Sequence, residues 1–177
     1  MIAAASKTFS HASARHKCPD GFISWGGTAI VYRGLRGRTL GIDIAVDSDE
    51  TRLLEAVRRL KDELQVNVEL ASPADFIPLP SDWENRAQFI GRFGTLDVFY
   101  FDFDSIALTK IVRANERDLD DLVLLAREGL VHLQALEQEV AAMLPQLGSG
   151  RYFNVDPAAV AHNFAAVRQR IADAEQR

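Results

Sequence analysis

Residues 22–47 read FISWGGTAIVYRGLRGRTLGIDIAVD, and no other stretch constrains the fold as much. A short apolar run (Phe22, Ile23, Trp25) meets paired glycines, Gly26 and Gly27. A helix is predicted over 28–36. GIDIAVD at 41–47 then alternates as a strand, with Ile42, Ile44 and Val46 on one face and Asp43, Ala45 and Asp47 on the other. Glycines at a strand-to-helix turn let anionic oxygens approach the backbone N–H groups. A carboxylate on the neighbouring strand can hold a metal ion against the same anion.

The rest of the chain sets the frame for that unit. A length of 177 residues fits one domain, or one domain with a helical extension. A formal net charge of −5 argues against a protein that coats DNA, while allowing a local basic patch. The single cysteine, Cys18, excludes an intrachain disulfide, and cytoplasmic residence is the simplest placement. No apolar run approaches the roughly 18 residues of a membrane span, so no membrane association is expected. Residues 1–18 carry Lys7, Arg15 and Lys17 without an acid, but the apolar run at 2–5 is too short for a secretory signal. A flexible N-terminal segment is expected over 1–20.

Strand is also predicted over 21–25, 66–70, 96–101 and, less sharply, 86–93. Ser48 is placed to cap a helix whose apolar stripe is Leu53, Leu54, Val57, Leu60 and Leu64. Residues 71–83 hold three prolines and read as a loop anchored by Phe76, Ile77 and Trp83. Beyond 104 the pattern is helical to the end, with a break and cap near Asn115, a stop at Pro145 and a restart at Asp156-Pro157. Val160, Phe164, Val167 and Ile171 form the last stripe. The expected class is α/β (α+β): a small mixed β-sheet flanked by helices, with an α-helical C-terminal region. The expected division is 1–20, a domain over 21–128 and a helical extension over 129–177.

GGTA at 26–29 followed by RTLGID at 38–43 resembles the DNA polymerase beta-type nucleotidyltransferase superfamily. More narrowly, the chain resembles small bacterial nucleotidyltransferase-like proteins related to abortive-infection and toxin–antitoxin enzymes. ELASPADFIPLP at 69–80, ALTKIVRANERDLDDL at 107–122 and NVDPAAV at 154–160 extend the likeness over roughly residues 22–160. The resemblance implies transfer of an NMP from an NTP to a hydroxyl of RNA or protein, with Mg²⁺ shared between carboxylates and phosphates. It assigns the phosphate turn to Gly26 and Gly27, with Thr28 as a hydroxyl contact. Asp43 matches the second acid of an Asp-x-Asp pair, and Gly41 stands where the first acid belongs. Asp47 shares the strand face but lies about 13 Å further along at ~3.3 Å per residue, too far to share one ion.

Asp97 is the preferred further carboxylate, as catalytic residue and metal ligand, and Glu69 the competing ligand. Arg38 and Arg36 can meet nucleotide or RNA phosphate, or stand in an exposed loop. Lys110, Arg113 and Arg117 read either as a phosphate-facing stripe, with Lys110 the preferred contact, or as ion pairs to Asp118, Asp120 or Asp121. The resemblance implies three possible functions: a nucleotidyltransferase, a non-catalytic descendant that binds nucleotide or a cognate partner protein of a toxin–antitoxin pair, or an interaction domain that keeps only the fold.

Overall fold

The computed structural model describes residues 21–39, 41–46, 51–94 and 96–176. The N-terminal segment 1–20, Asp47 and the expected cap Ser48 lie outside the described residues. Contacts divide the chain into two compact units. Of the described residues, one unit holds those up to Ser72 together with those in Asp82–Phe101; the other holds Pro73–Ser81 and those from Asp102 on. Residues 102–128 therefore group with the helices that follow them.

The first unit is built on one mixed five-stranded sheet in the order β3-β2-β1-β5-β4. Strand β1 (Gly21–Trp25) is central. It pairs antiparallel with β2 (Ile42–Val46) and parallel with β5 (Leu96–Tyr100). Strand β3 (Val68–Leu70) runs parallel to β2 at one edge, and β4 (Gln88–Phe93) antiparallel to β5 at the other. The weakly signalled strand over 86–93 thus forms, as half of a hairpin turned at Gly94 with φ +66°.

Helix α1 (Gly27–Tyr32) links β1 towards β2, and α2 (Thr51–Leu64) links β2 towards β3. The expected helix over 28–36 stops early because Gly34 turns the chain at φ +73°. Leu60 and Leu64, assigned to an apolar stripe, are exposed on α2. A one-turn helix, α3 (Trp83–Arg86), begins at the last residue of the predicted 71–83 loop. Its Trp83 stacks on Phe101 at 4.6 Å between ring centroids. Ile23, Ile30, Ile44 and Phe101 are fully buried and form the centre of this unit.

The second unit is helical: α4 (Phe103–Arg113), α5 (Glu116–Arg127), α6 (Leu133–Met143) and α7 (Pro157–Glu175). The starts follow from side-chain caps. Asp102 accepts from the Ser105 N–H at 3.0 Å, Asn115 from Asp118 N–H at 2.9 Å, and Asp156 from Ala158 N–H at 2.9 Å with Pro157 at the first helical position. Val160, Phe164, Val167 and Ile171 are all buried, as the 3.6-residue spacing requires. Asn163 fastens α7 to the end of α4 by donating to the Ile111 carbonyl at 3.0 Å.

An ionic cluster joins α4 to α5. Ala114 takes a left-handed conformation at φ 44°, which turns the chain so that α5 returns beside α4. Lys110, 2% exposed, then donates to Asp118 at 3.1 Å and to Asp121 at 2.7 Å. Arg113 adds two bonds to Asp118, both 2.6 Å. Lys110 and Arg113 thus meet the carboxylates of Asp118 and Asp121 in one cluster. Burial pushes the Asp118 carboxyl up, but its bonds to Arg113 and the charge of Lys110 outweigh that and hold it below its ordinary 3.8.

A carboxyl lowered on folding stabilises fully above its ordinary value, and loses that contribution as pH falls from there through the folded value. Asp118→Asn leaves Lys110 and Arg113 short of a counter-charge and is expected to cost about 3–5 kcal/mol at neutral pH. The gap to the native protein should narrow below about pH 4. Urea unfolding followed by helical circular dichroism at pH 7 and pH 3.5 checks both, and an equal deficit at the two values refutes the assignment.

Candidate functional site

The turn after β1 is set by two glycines with different tasks. Gly26 has φ +65° and ψ −137°, a conformation that side chains other than glycine's rarely adopt. A Cβ there would come within 2.9 Å of Asp43 Oδ2, so the Asp43 carboxylate lies directly against the turn. The register explains this: Trp25 pairs with Asp43, and the residue after Trp25 is Gly26. At Gly27 a Cβ would overlap Arg36 Nη2 and stand 2.6 Å from Thr39 Oγ1. The guanidinium of Arg36 and the Thr39 hydroxyl thus occupy the space over Gly27.

Two hydroxyls brace the approach to β2. Thr39 donates to the Gly41 carbonyl at 2.9 Å, and Thr28 reaches the same oxygen at 3.5 Å. Ser24 donates to the Asp43 carbonyl at 3.2 Å, locking β1 to β2 beside the acid. Trp25, under the same face, donates its indole N–H to the Ala71 carbonyl at 3.0 Å.

The register also decides which acids meet. Glu69 is the partner of Asp43 on β3, one strand spacing away on the same face. It is exposed and accepts from the Asn67 amide at 3.1 Å. Asp97 is not brought to Asp43. It pairs with Gly21, at the opposite end of β1, four residues or roughly 13 Å from the level of Asp43 at ~3.3 Å per residue. There it is 2% exposed and held by Arg92 in a two-pronged pair of 2.6 and 2.8 Å. Just past β5, Phe101 follows the Tyr100 that pairs with Ser24; its N–H bonds the Ser24 carbonyl at 3.0 Å and its ring is fully buried.

At Gly41 there is no acid, and a side chain there would ask the Asn67 amide to shift slightly. A Cβ there would meet Asn67 Nδ2 at 3.2 Å and the Asn67 carbonyl at 3.4 Å. Among the described residues no group of three or more His, Cys, Asp or Glu side chains is arranged to hold a metal ion. A two-metal centre draws on several carboxylates, and among the described residues the donors near the turn are Asp43 with Glu69 beside it. The described donors alone do not make up a two-metal centre.

Of the other residues singled out in the sequence, Arg38 is exposed in the 33–39 connection. Lys110 belongs to the helical unit, where its ammonium is engaged by Asp118 and Asp121. The close placement of Arg36 on Gly27, the brace from Thr39 and the Asn67 contact were not foreseen. Arg92 was legible in principle, since a hairpin turning at residues 94–95 sets 92 opposite 97.

A glycine turn leaving a central strand, with an acid-bearing strand antiparallel beside it, marks a nucleotidyltransferase-like domain. The chain belongs to the family described as nucleotidyltransferases of unknown function (DUF6036), whose model matches residues 4–150. Neither a curated protein nor a solved structure gives a significant match.

Because Gly26 combines a positive φ with an acid at its Cα, Gly26→Ala is expected to destabilise the sheet unit by about 1–3 kcal/mol. Gly34→Ala tests the local cause: its φ is also positive, at +73°, but no heavy atom lies within 4 Å of an added Cβ. Thermal unfolding should show the larger loss for Gly26→Ala, and equal losses would remove the Asp43 contact from the explanation.

Proposed function

We propose that this chain binds a nucleoside triphosphate at the Gly26–Gly27 turn and transfers its NMP slowly or not at all. The observation that carries the reading is the seating of Asp43 Oδ2 against Gly26, which joins the glycine turn to the acid of β2. Family membership supports nucleotide as the ligand. The weak-transfer part rests on the donor set: Gly41 carries no acid, Phe101 is buried just past β5, and Asp97 is paired elsewhere. Loss of one group that stabilises developing charge costs on the order of 3 kcal/mol, roughly a hundredfold in rate. The lone cysteine supports a cytoplasmic setting, and among the described residues no helix is long and apolar enough to cross a membrane.

A partner-binding role, as in a toxin–antitoxin pair, is favoured by one further observation. The edge strand β4 carries Phe89 and Phe93 at 51% and 64% exposure. An exposed aromatic edge is open to strand addition by another protein. Under this reading Phe89→Glu with Phe93→Glu abolishes complex formation with a co-expressed cognate partner and leaves nucleotide binding intact.

Calorimetric titration with ATP, GTP, CTP and UTP tests the first reading, and binding of at least one is expected. Incubation with labelled NTPs, Mg²⁺, total tRNA and cell extract should give little or no labelled acceptor. Robust labelling that disappears in Asp43→Ala overturns the weak-transfer part, and silence in every titration overturns nucleotide binding.

A further inference from the structure

Among the described residues β3 is an edge of the sheet, and its bonds to β2 show which of its backbone groups point outward. The Asn67 carbonyl accepts from the Ile42 N–H at 2.7 Å, and the Ala71 N–H donates to the Ile44 carbonyl at 2.9 Å. Residues of a paired strand alternate in direction, so Asn67, Glu69 and Ala71 turn their backbone groups to β2. Val68 and Leu70 turn theirs away from it. An outward row of this kind is a template for a further strand unless something covers it.

One of these outward groups is covered by the chain itself. Lys61, in the last turn of α2, donates its ammonium to the Val68 carbonyl at 3.3 Å. It stands where the N–H of an added strand would bond. The cover is one exposed side chain, whose bond contributes little net against water. Apolar surface borders it. Leu64 lies one turn beyond Lys61 on α2, Leu60 one turn before Leu64, and Leu70 on β3 itself; all three are exposed.

The two faces of β3 differ in character. Leu70 pairs with Ile44 and Glu69 with Asp43, so Leu70 and Glu69 project to opposite faces. Glu69 is exposed and accepts from a neutral amide, that of Asn67 at 3.1 Å, which leaves its negative charge in place. A residue directly across from Glu69 on an added strand is favoured when basic, and one across from Leu70 when apolar. A second copy paired through β3 about Glu69 would set two glutamates opposite each other, which is unfavourable.

We propose that the outer edge of β3 is a docking site for an extended peptide of a partner protein with alternating basic and apolar residues, and that Lys61 is the gate this peptide displaces. The peptide backbone pairs with Val68 and Leu70, its apolar residues lie on the Leu70 side and its basic residues on the Glu69 side. The site is at the opposite edge of the sheet from β4 and does not depend on nucleotide.

The test is fluorescence anisotropy of the full chain with labelled, end-blocked peptides, one alternating Lys and Val, the other Glu and Val. The Lys–Val peptide is expected to bind, and the Glu–Val peptide several-fold more weakly. Lys61→Ala uncovers the Val68 carbonyl and should tighten binding several-fold, the scale of one net hydrogen bond. Glu69→Lys should reverse the preference between the peptides, a change that a purely structural role for Glu69 does not produce. Leu70→Pro removes an outward N–H without touching a bond to β2 and should abolish binding, with a melting curve showing that the fold is kept. Equal affinity for the two peptides, or a preference unchanged in Glu69→Lys, overturns the proposal. Absence of binding by both the native chain and Lys61→Ala overturns it too. Sedimentation of the chain alone as a dimer that Lys61→Ala strengthens would assign the edge to a second copy instead.

Discussion

The pairing of β1 on both sides is the constraint on which the sheet unit depends. Its antiparallel register with β2 brings Trp25 to Asp43, and its parallel register with β5 brings Gly21 to Asp97. Because side chains alternate with period 2, a slip of one residue on either side would move every acid to the other face. The register is specified by what β1 and its neighbours bury: Ile23, Ile44 and Phe101 are at most 1% exposed, so a slipped sheet would expose them. The same packing that fixes the fold therefore determines that Asp43 reaches the glycine turn and Asp97 does not.

This separates two kinds of acid that look alike in sequence. Asp43 and Asp97 both sit on predicted strands, each among β-branched or aromatic neighbours. Asp97 stands four residues down the sheet and belongs to a hairpin ion pair with Arg92. Asp43 stands at the end where the chain turns. Strand identity could be read from alternation, but the level of one strand against another depends on pairings between residues far apart in the chain. Residues on one strand, such as Asp43 and the buried Ile44, could be assigned to opposite faces for the converse reason: alternation is local.

Local signals were strong elsewhere too. The caps at Asn115 and Asp156, the N1 proline and the last helical stripe were legible because each depends on residues within one or two turns. Lys110 was ambiguous because the same three-residue spacing serves an open phosphate-facing stripe and a closed ion-pair cluster. The left-handed Ala114 decided between them by reversing the chain, and a non-glycine residue in that conformation has no clear sequence mark. Arg36 was ambiguous for another reason. A Gly-flanked arginine reads as a solvated loop residue until the missing side chain at Gly27 is seen to be the space it fills.

That last point bears on how a site of this kind can change its chemistry without changing its fold. The glycine turn demands small size at two positions for different partners, a carboxylate at Gly26 and a guanidinium at Gly27. The absence of an acid at position 41 leaves the sheet undisturbed. Gly41 precedes β2, and its carbonyl is still held by Thr39. The backbone scaffold of a nucleotidyltransferase-like domain is thus held by strand pairing and by small residues at the turn, whichever charged side chains stand around it.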